Sequence, residues 1–192
     1  MIFPGTPAAI QVYSVAPTEQ SISQGLEADT RTDDRQRWGL RLAMPGAQRA
    51  EWATAFSFLV GQAGRYETFT IVPAGIDGRG ILTGTPTVSG SSQTGRTLTT
   101  AGWTVSQTDI VKAGDFFSLE NKVYMATADS NSDGDGDTEL TIDPALVSSP
   151  AHGATLTVAS VPFLVTLIDD SLEGSYDRQG LYSLAFDVIE TI

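Results

Sequence analysis

Arg37-Trp38-Gly39-Leu40-Arg41-Leu42-Ala43-Met44 is the stretch on which the reading of this chain turns. Trp38, Leu40, Leu42 and Met44 fall on one side of an extended backbone, and Arg37, Gly39, Arg41 and Ala43 fall on the other. Successive side chains of a strand point to opposite faces, so this alternation predicts a half-buried strand. Pro45-Gly46 is expected to break it, and the period changes directly afterwards. Between Ala47 and Val60, Trp52, Phe56 and Leu59 recur at spacings of four and three, with Ala53 and Val60 beside them. That spacing predicts an amphipathic helix of about four turns over residues 47–61. Gly61 or Gly64 would end it in the left-handed conformation that helix C-termini favour. No other segment reads convincingly as helix.

Outward from this core the texture is β. Ala9–Val15 alternates and is closed by Pro17, a polar connector leads to Ser21–Thr30, and Asp33-Asp34 reads as a charged turn. After the helix, Tyr66–Pro73 is rich in aromatic and β-branched residues and reads as a strand. From residue 74 the chain becomes rich in Gly, Ser and Thr. Short strand candidates follow at Arg96–Thr99, Asp115–Leu119, Lys122–Ala128, Thr138–Ile142 and Ala154–Ala159, with turn residues such as Gly114, Asn121 and Gly153 among them. Two stronger candidates, Val161–Ile168 and Leu181–Ile189, flank the acidic, turn-rich stretch Asp169–Gly180. The expected fold is mainly β, in the α+β class. A β-sandwich-like domain with one packed helix (residues 1–78 and 161–192) is interrupted by a small inserted β-barrel or sandwich (residues 79–160).

Charge divides the chain. Residues 1–100 hold 8 acidic and 8 basic side chains, whereas residues 101–192 hold 15 and 3, so the whole net charge of −12 lies in the second part. A duplex-DNA reader needs cations to displace phosphate counterions, and an anionic membrane surface attracts them too, so neither role fits. The absence of cysteine excludes disulfide frameworks, thiolate metal sites and cysteine nucleophiles. Apolar runs such as Phe163-Leu164-Val165 are far shorter than the roughly 20 residues of a membrane span. Met1-Ile2-Phe3-Pro4-Gly5 lacks the basic start and apolar run of a signal peptide, so a soluble protein made in a cytosol is expected.

Few residues suggest chemistry. Asp129, Asn131, Asp133 and Asp135, spaced by two with Gly134 at the sixth position, match the start of a calcium loop. The match fails at position 12, where Leu140 replaces the bidentate glutamate, so a hairpin loop is the competing reading and calcium the only cofactor considered. His152, the only histidine, lies in a Pro150-Ala151-His152-Gly153 turn with no nucleophile motif to serve. Gly78-Arg79-Gly80 lacks the lysine and following helix of a phosphate loop. Asp169-Asp170 reads as a solvated strand end, although carboxylate pairs of a cell-wall glycosidase are defined only in three dimensions. Trp103, Phe116, Phe117 and Tyr124 are the aromatics on which a glycan- or receptor-binding alternative would depend, with core packing as the competing role.

In order, Arg37-Trp38-Gly39-Leu40-Arg41-Leu42, Trp52-Ala53-Thr54-Ala55-Phe56, Leu59-Val60-Gly61-Gln62-Ala63-Gly64 and Tyr66-Glu67-Thr68-Phe69 resemble the minor tail proteins of long-tailed phages, especially distal tail proteins. The later runs Val111–Phe117, Val123–Asp129 and Leu140–Leu146 resemble a module seen in such proteins. The resemblance covers about two-thirds of the chain and leaves no room for a separate C-terminal galectin-like domain. It implies a virion structural protein at the tail tip, assembled in the host cytoplasm, without enzyme activity or cofactor. A hexameric ring of copies would join the tail tube to the tip, hub or baseplate, near the tape measure protein, with DNA only as the passing genome and no membrane insertion. Acidic side chains lining a lumen would let that genome slide. A tail terminator or tube subunit is the neighbouring alternative.

Overall fold

The strand anticipated at Arg37–Met44 is the spine of a six-stranded antiparallel sheet. The computed structural model describes residues 1–22, 28–32, 35–76 and 78–191; the Asp33-Asp34 turn lies outside them. Strand β1 (Ala9–Val15) pairs with β4 (Arg37–Ala47), and between them the chain forms a separate hairpin of β2 (Thr18–Ile22) and β3 (Ala28–Thr32). The order then runs from β4 to β13 (Tyr182–Glu190), β11 (Phe163–Leu167) and β5 (Phe69–Ile71). Strand β12 (Glu173–Tyr176) lies on the same side of β13 as β11, opposite residues 182–185 instead of 188–190.

Pro45-Gly46 does not end β4. The strand runs on to Ala47, which pairs with Tyr182 after a register shift, and Gly46 sits at φ +67°. A bulge accommodates one unpaired residue, and glycine takes the left-handed conformation at little cost. One face of the sheet carries Leu40, Leu42, Phe163, Val165 and Val188, all at most 2% exposed. Each such side chain contributes about 1.5–3 kcal/mol by leaving water.

Helix α1 (Arg49–Val60) lies across β4 and β13 on that buried face. It buries Ala55 and Leu59, keeps Trp52, Phe56 and Phe58 half-buried, and leaves Ala53 and Val60 in solvent. The apolar stripe is therefore rotated from the one expected. The aromatic side chains reach sideways, with Trp52 stacked on Phe56 at 4.7 Å and its Nε1 donating to Ser183 O of β13. Gly61 stays right-handed; the left-handed turn comes at Ala63 and Gly64.

Between β5 and β11 the chain builds a second antiparallel sheet with its own core. Its order is β6 (Gly84–Val88), β7 (Gly95–Trp103), β10 (Thr138–Leu146), β9 (Lys122–Ala126) and β8 (Phe116–Leu119). Residues 154–157 bridge its two ends. Thr155 faces Thr87 of β6, Thr157 faces Ser118 of β8, and the N–H of Val88 donates to Ala154 O at 2.8 Å. The sheet is thereby curled into a small barrel around Leu98, Ile110, Leu140 and Ile142, each at most 1% exposed. The strand expected over Ala154–Ala159 is thus an irregular closing strap. Overall the chain is mainly β with one helix among the described residues.

Candidate assembly surface

The two ends of the larger sheet differ. Beyond β5, the first residues of the chain add a short parallel bridge, Ile2 to Thr70, and the N–H of Phe3 donates to Thr70 O at 2.9 Å. At the other end β1 hydrogen-bonds to β4 alone among the described residues, leaving its outer edge open over seven residues. An unpaired edge of this length is a template for pairing with another chain unless it is covered. The β2–β3 hairpin springs from it, and all five residues of β2 are exposed, including Ile22 at 64%.

The outward face of the sheet is polar and ordered. The Tyr13 ring of β1 lies over Gly39, Arg41 sits 5.2 Å from that ring, and Arg41 Nε reaches Asp187 Oδ2 at 3.4 Å. Both charges are substantially exposed, so the pair orders the surface more than it stabilises the fold. Burial and Asp187 push the Tyr13 phenol above its ordinary value, with Arg41 pulling the other way. Among the described residues no helix is long and apolar enough to cross a membrane.

The calcium-loop residues are not gathered around a point. Asp129 Oδ1 accepts the N–H of Ala113, Asn131 Oδ1 accepts that of Asp109, and Asp133 Oδ1 accepts those of Asp135 and Asp137. These are loop-capping bonds, and those last two hold the Asp133 carboxyl below the usual carboxylate range. Among the described residues no three His, Cys, Asp or Glu side chains converge on a metal position.

The aromatics of the glycan alternative are placed inside. Trp103, Phe117 and Tyr124 are 4%, 2% and 3% exposed, and Phe116 turns toward the larger sheet, 5.1 Å from Trp38. Binding a sugar needs an uncovered ring face, and packing has consumed these, so that constellation does not form. Tyr124 lies beside a cleft. With Leu119 and Val147 of the barrel and Thr68, Leu164 and Thr191 of the larger sheet it lines a 430 Å³ cleft between the two parts. Burial pushes its phenol up, although a hydrogen bond from the Val147 backbone opposes the shift.

The remaining sequence candidates are held by hydrogen bonds. His152 is exposed, and its Nδ1 accepts the N–H of Gly90 at 3.0 Å. Arg79 and Gly80 donate their N–H groups to Asp115, a buried carboxylate that also accepts from Lys112. Asp170 pairs with Arg65 through both carboxylate oxygens at the surface, and that guanidinium holds its carboxyl below the ordinary value. What sequence reasoning missed is Glu190: an acidic residue ending an alternating strand gives no sign that a lysine 68 positions away is its partner. In comparisons with known proteins, no family model matches the chain, and no curated protein shows significant similarity to it.

Proposed function

We propose that this chain is a non-enzymatic structural subunit of a phage tail, a distal tail protein whose copies form a ring between the tail tube and the tail tip. The observation that carries the reading is the outer edge of β1, which no other strand among the described residues pairs, together with the exposed strand β2 beside it. A closed ring repeats one heterologous contact, so each copy must offer two different complementary faces. The β1 end and the bridged β5 end of the sheet are two such faces. The textural resemblance described above supplies the tail assignment, and six copies are the expected number. Tube, hub and tape measure proteins are the partners that this position implies, and the closed barrel is free to project from the ring.

Native mass spectrometry and electron microscopy of the purified chain, alone and with tail-tube and tip proteins, test the assignment. A closed annulus of copies supports it. Ile22→Asp is expected to leave the subunit folded and to weaken the annulus. A chain that stays monomeric with those partners present, or a particle map that places it away from the tail end, overturns the reading.

A further inference from the structure

Barrel and sheet meet through packing and polar contacts together. Phe116, Val123 and Met125 of the barrel pack into the hydrophobic core of the larger sheet, and Trp38 Nε1 donates to Val123 O at 3.0 Å. Glu190, the last residue of β13, is fully buried there. It accepts the N–H of Val123 at 2.7 Å, the N–H of Trp38 at 3.3 Å and a hydrogen bond from Lys122 Nζ, which also donates to Gln36 O. The 430 Å³ cleft that Lys122 helps to line therefore has walls held in place by a shared core. A preformed cleft of this size lies in the range of ligand sites, and its occupant is spared the cost of ordering it.

The lining defines what would fit. Leu119, Leu146, Val147 and Leu164 make it apolar, and the exposed Thr68, Asn121 and Ser148 add polar groups. Lys122 is the one cation among the lining residues, and its ammonium is committed to Glu190 and Gln36 O. Glu120 is the one carboxylate; it is exposed, and its Oε1 accepts the N–H of Ala151 at 3.4 Å. An anion would find no cation to pair with, and taking any net charge against apolar walls is costly. A sugar would find no open ring face, because Tyr124 is 3% exposed and stacked on Phe117 at 5.8 Å. The Tyr124 hydroxyl accepts the N–H of Val147, and burial, by raising its pKa, keeps its own proton in place to be donated.

We propose that the cleft binds an uncharged apolar residue of a partner polypeptide, with its side chain against Leu119, Leu146 and Leu164 and its carbonyl accepting from Tyr124. A peptide unit carries one donor and one acceptor beside an apolar side chain, and the cleft offers the complement of each: the Tyr124 hydroxyl for the carbonyl, the side-chain oxygens of Glu120 and Asn121 for the N–H. The site is independent of the tail assignment.

Titration of the full chain with N-acetyl-leucine methylamide, followed in amide NMR spectra, tests it. Saturable shifts are expected at Asn121, Val147, Leu164 and Thr191, in the millimolar range that so small a probe permits. N-acetyl-leucine, an anion, and leucine methylamide, a cation, are each expected to bind about tenfold or more weakly. Val147→Trp, at a half-exposed position, fills the cleft and is expected to abolish the shifts. Tyr124→Phe removes the donor and is expected to weaken binding by about fivefold to tenfold. If either variant does not fold, the comparison of the three probes on the wild type decides. No saturable shift up to the solubility of the probe, equal or tighter binding of either charged form, or binding unchanged in a folded variant overturns the proposal.

Discussion

Among the described residues no strand pairs with the outer edge of β1 in the larger sheet, whereas β6 and β8, the two ends of the smaller sheet, each bridge to residues 154–157. The ends of the smaller sheet are thus bridged from within the chain. The edge of β1 differs, because a row of unpaired N–H and C=O groups is satisfied only by water or by another chain. In the proposed ring, assembly would fall to the open sheet, with the barrel positioned by its junction. The junction, the barrel closure and the open edge can each be altered separately.

The largest effect is expected at the junction. Lys122→Met strands the Glu190 carboxylate without a cation and should cost about 3–5 kcal/mol in urea unfolding. Adding Glu190→Gln keeps an acceptor for Val123 and Trp38 without the charge, and the double variant should recover most of that loss. A double variant as unstable as the single one would mean that packing at Lys122, not the charge pair, holds barrel to sheet.

Barrel closure ranks next. Gly102 sits at φ +86°, and a Cβ there would lie 2.6 Å from the backbone oxygen of Thr85 on the neighbouring strand. Gly102→Ala should cost about 2 kcal/mol or more, measured by thermal unfolding, because backbone atoms cannot yield as a side chain can.

A smaller effect is expected with pH. Burial pushes the Glu190 carboxyl above its ordinary value near 4.5, outweighing Lys122 and the two N–H donors. A carboxyl raised in the folded state contributes stability that is full below its unfolded value and is lost as pH rises through the raised one. Wild type should therefore gain stability relative to Glu190→Gln as pH falls from 7 to 4. Parallel stability curves for the two proteins would show that Glu190 titrates alike in the folded and unfolded chain.

The mildest change is expected on the open sheet. A Cβ at Gly39 would meet the Tyr13 ring at 2.2 Å, but that ring is half-exposed and can swing aside. Gly39→Ala should cost about 1 kcal/mol or less while displacing Tyr13 from Arg41, an effect visible in the Tyr13 ring NMR signals. A loss as large as that of Gly102→Ala would show that the β1 edge is as rigidly built as the barrel.

Strands with one wet and one dry face were legible because burial imposes alternation on them. β1 begins and ends where its pattern does, and β13 is displaced from its expected span by one residue. β2 and β12 were missed because every residue of both is exposed, so no alternation marks them; the first lay partly in a polar connector and the second in a stretch read as turns. The Asp-rich loop was legible as a turn between β9 and β10, and its carboxylates serve backbone N–H groups nearby in sequence.

By itself the sequence determined the local grammar: where the period is two, where it becomes helical, and where Gly, Asn and Asp must turn the chain. Each depends on neighbours a few residues apart. Only the tertiary structure decided that residues 154–157 close a barrel, that Trp103 and Phe117 face inward, and that Glu190 meets Lys122. Those outcomes depend on which distant segments pair and on what is left for water, and neither is encoded in any short window of the chain.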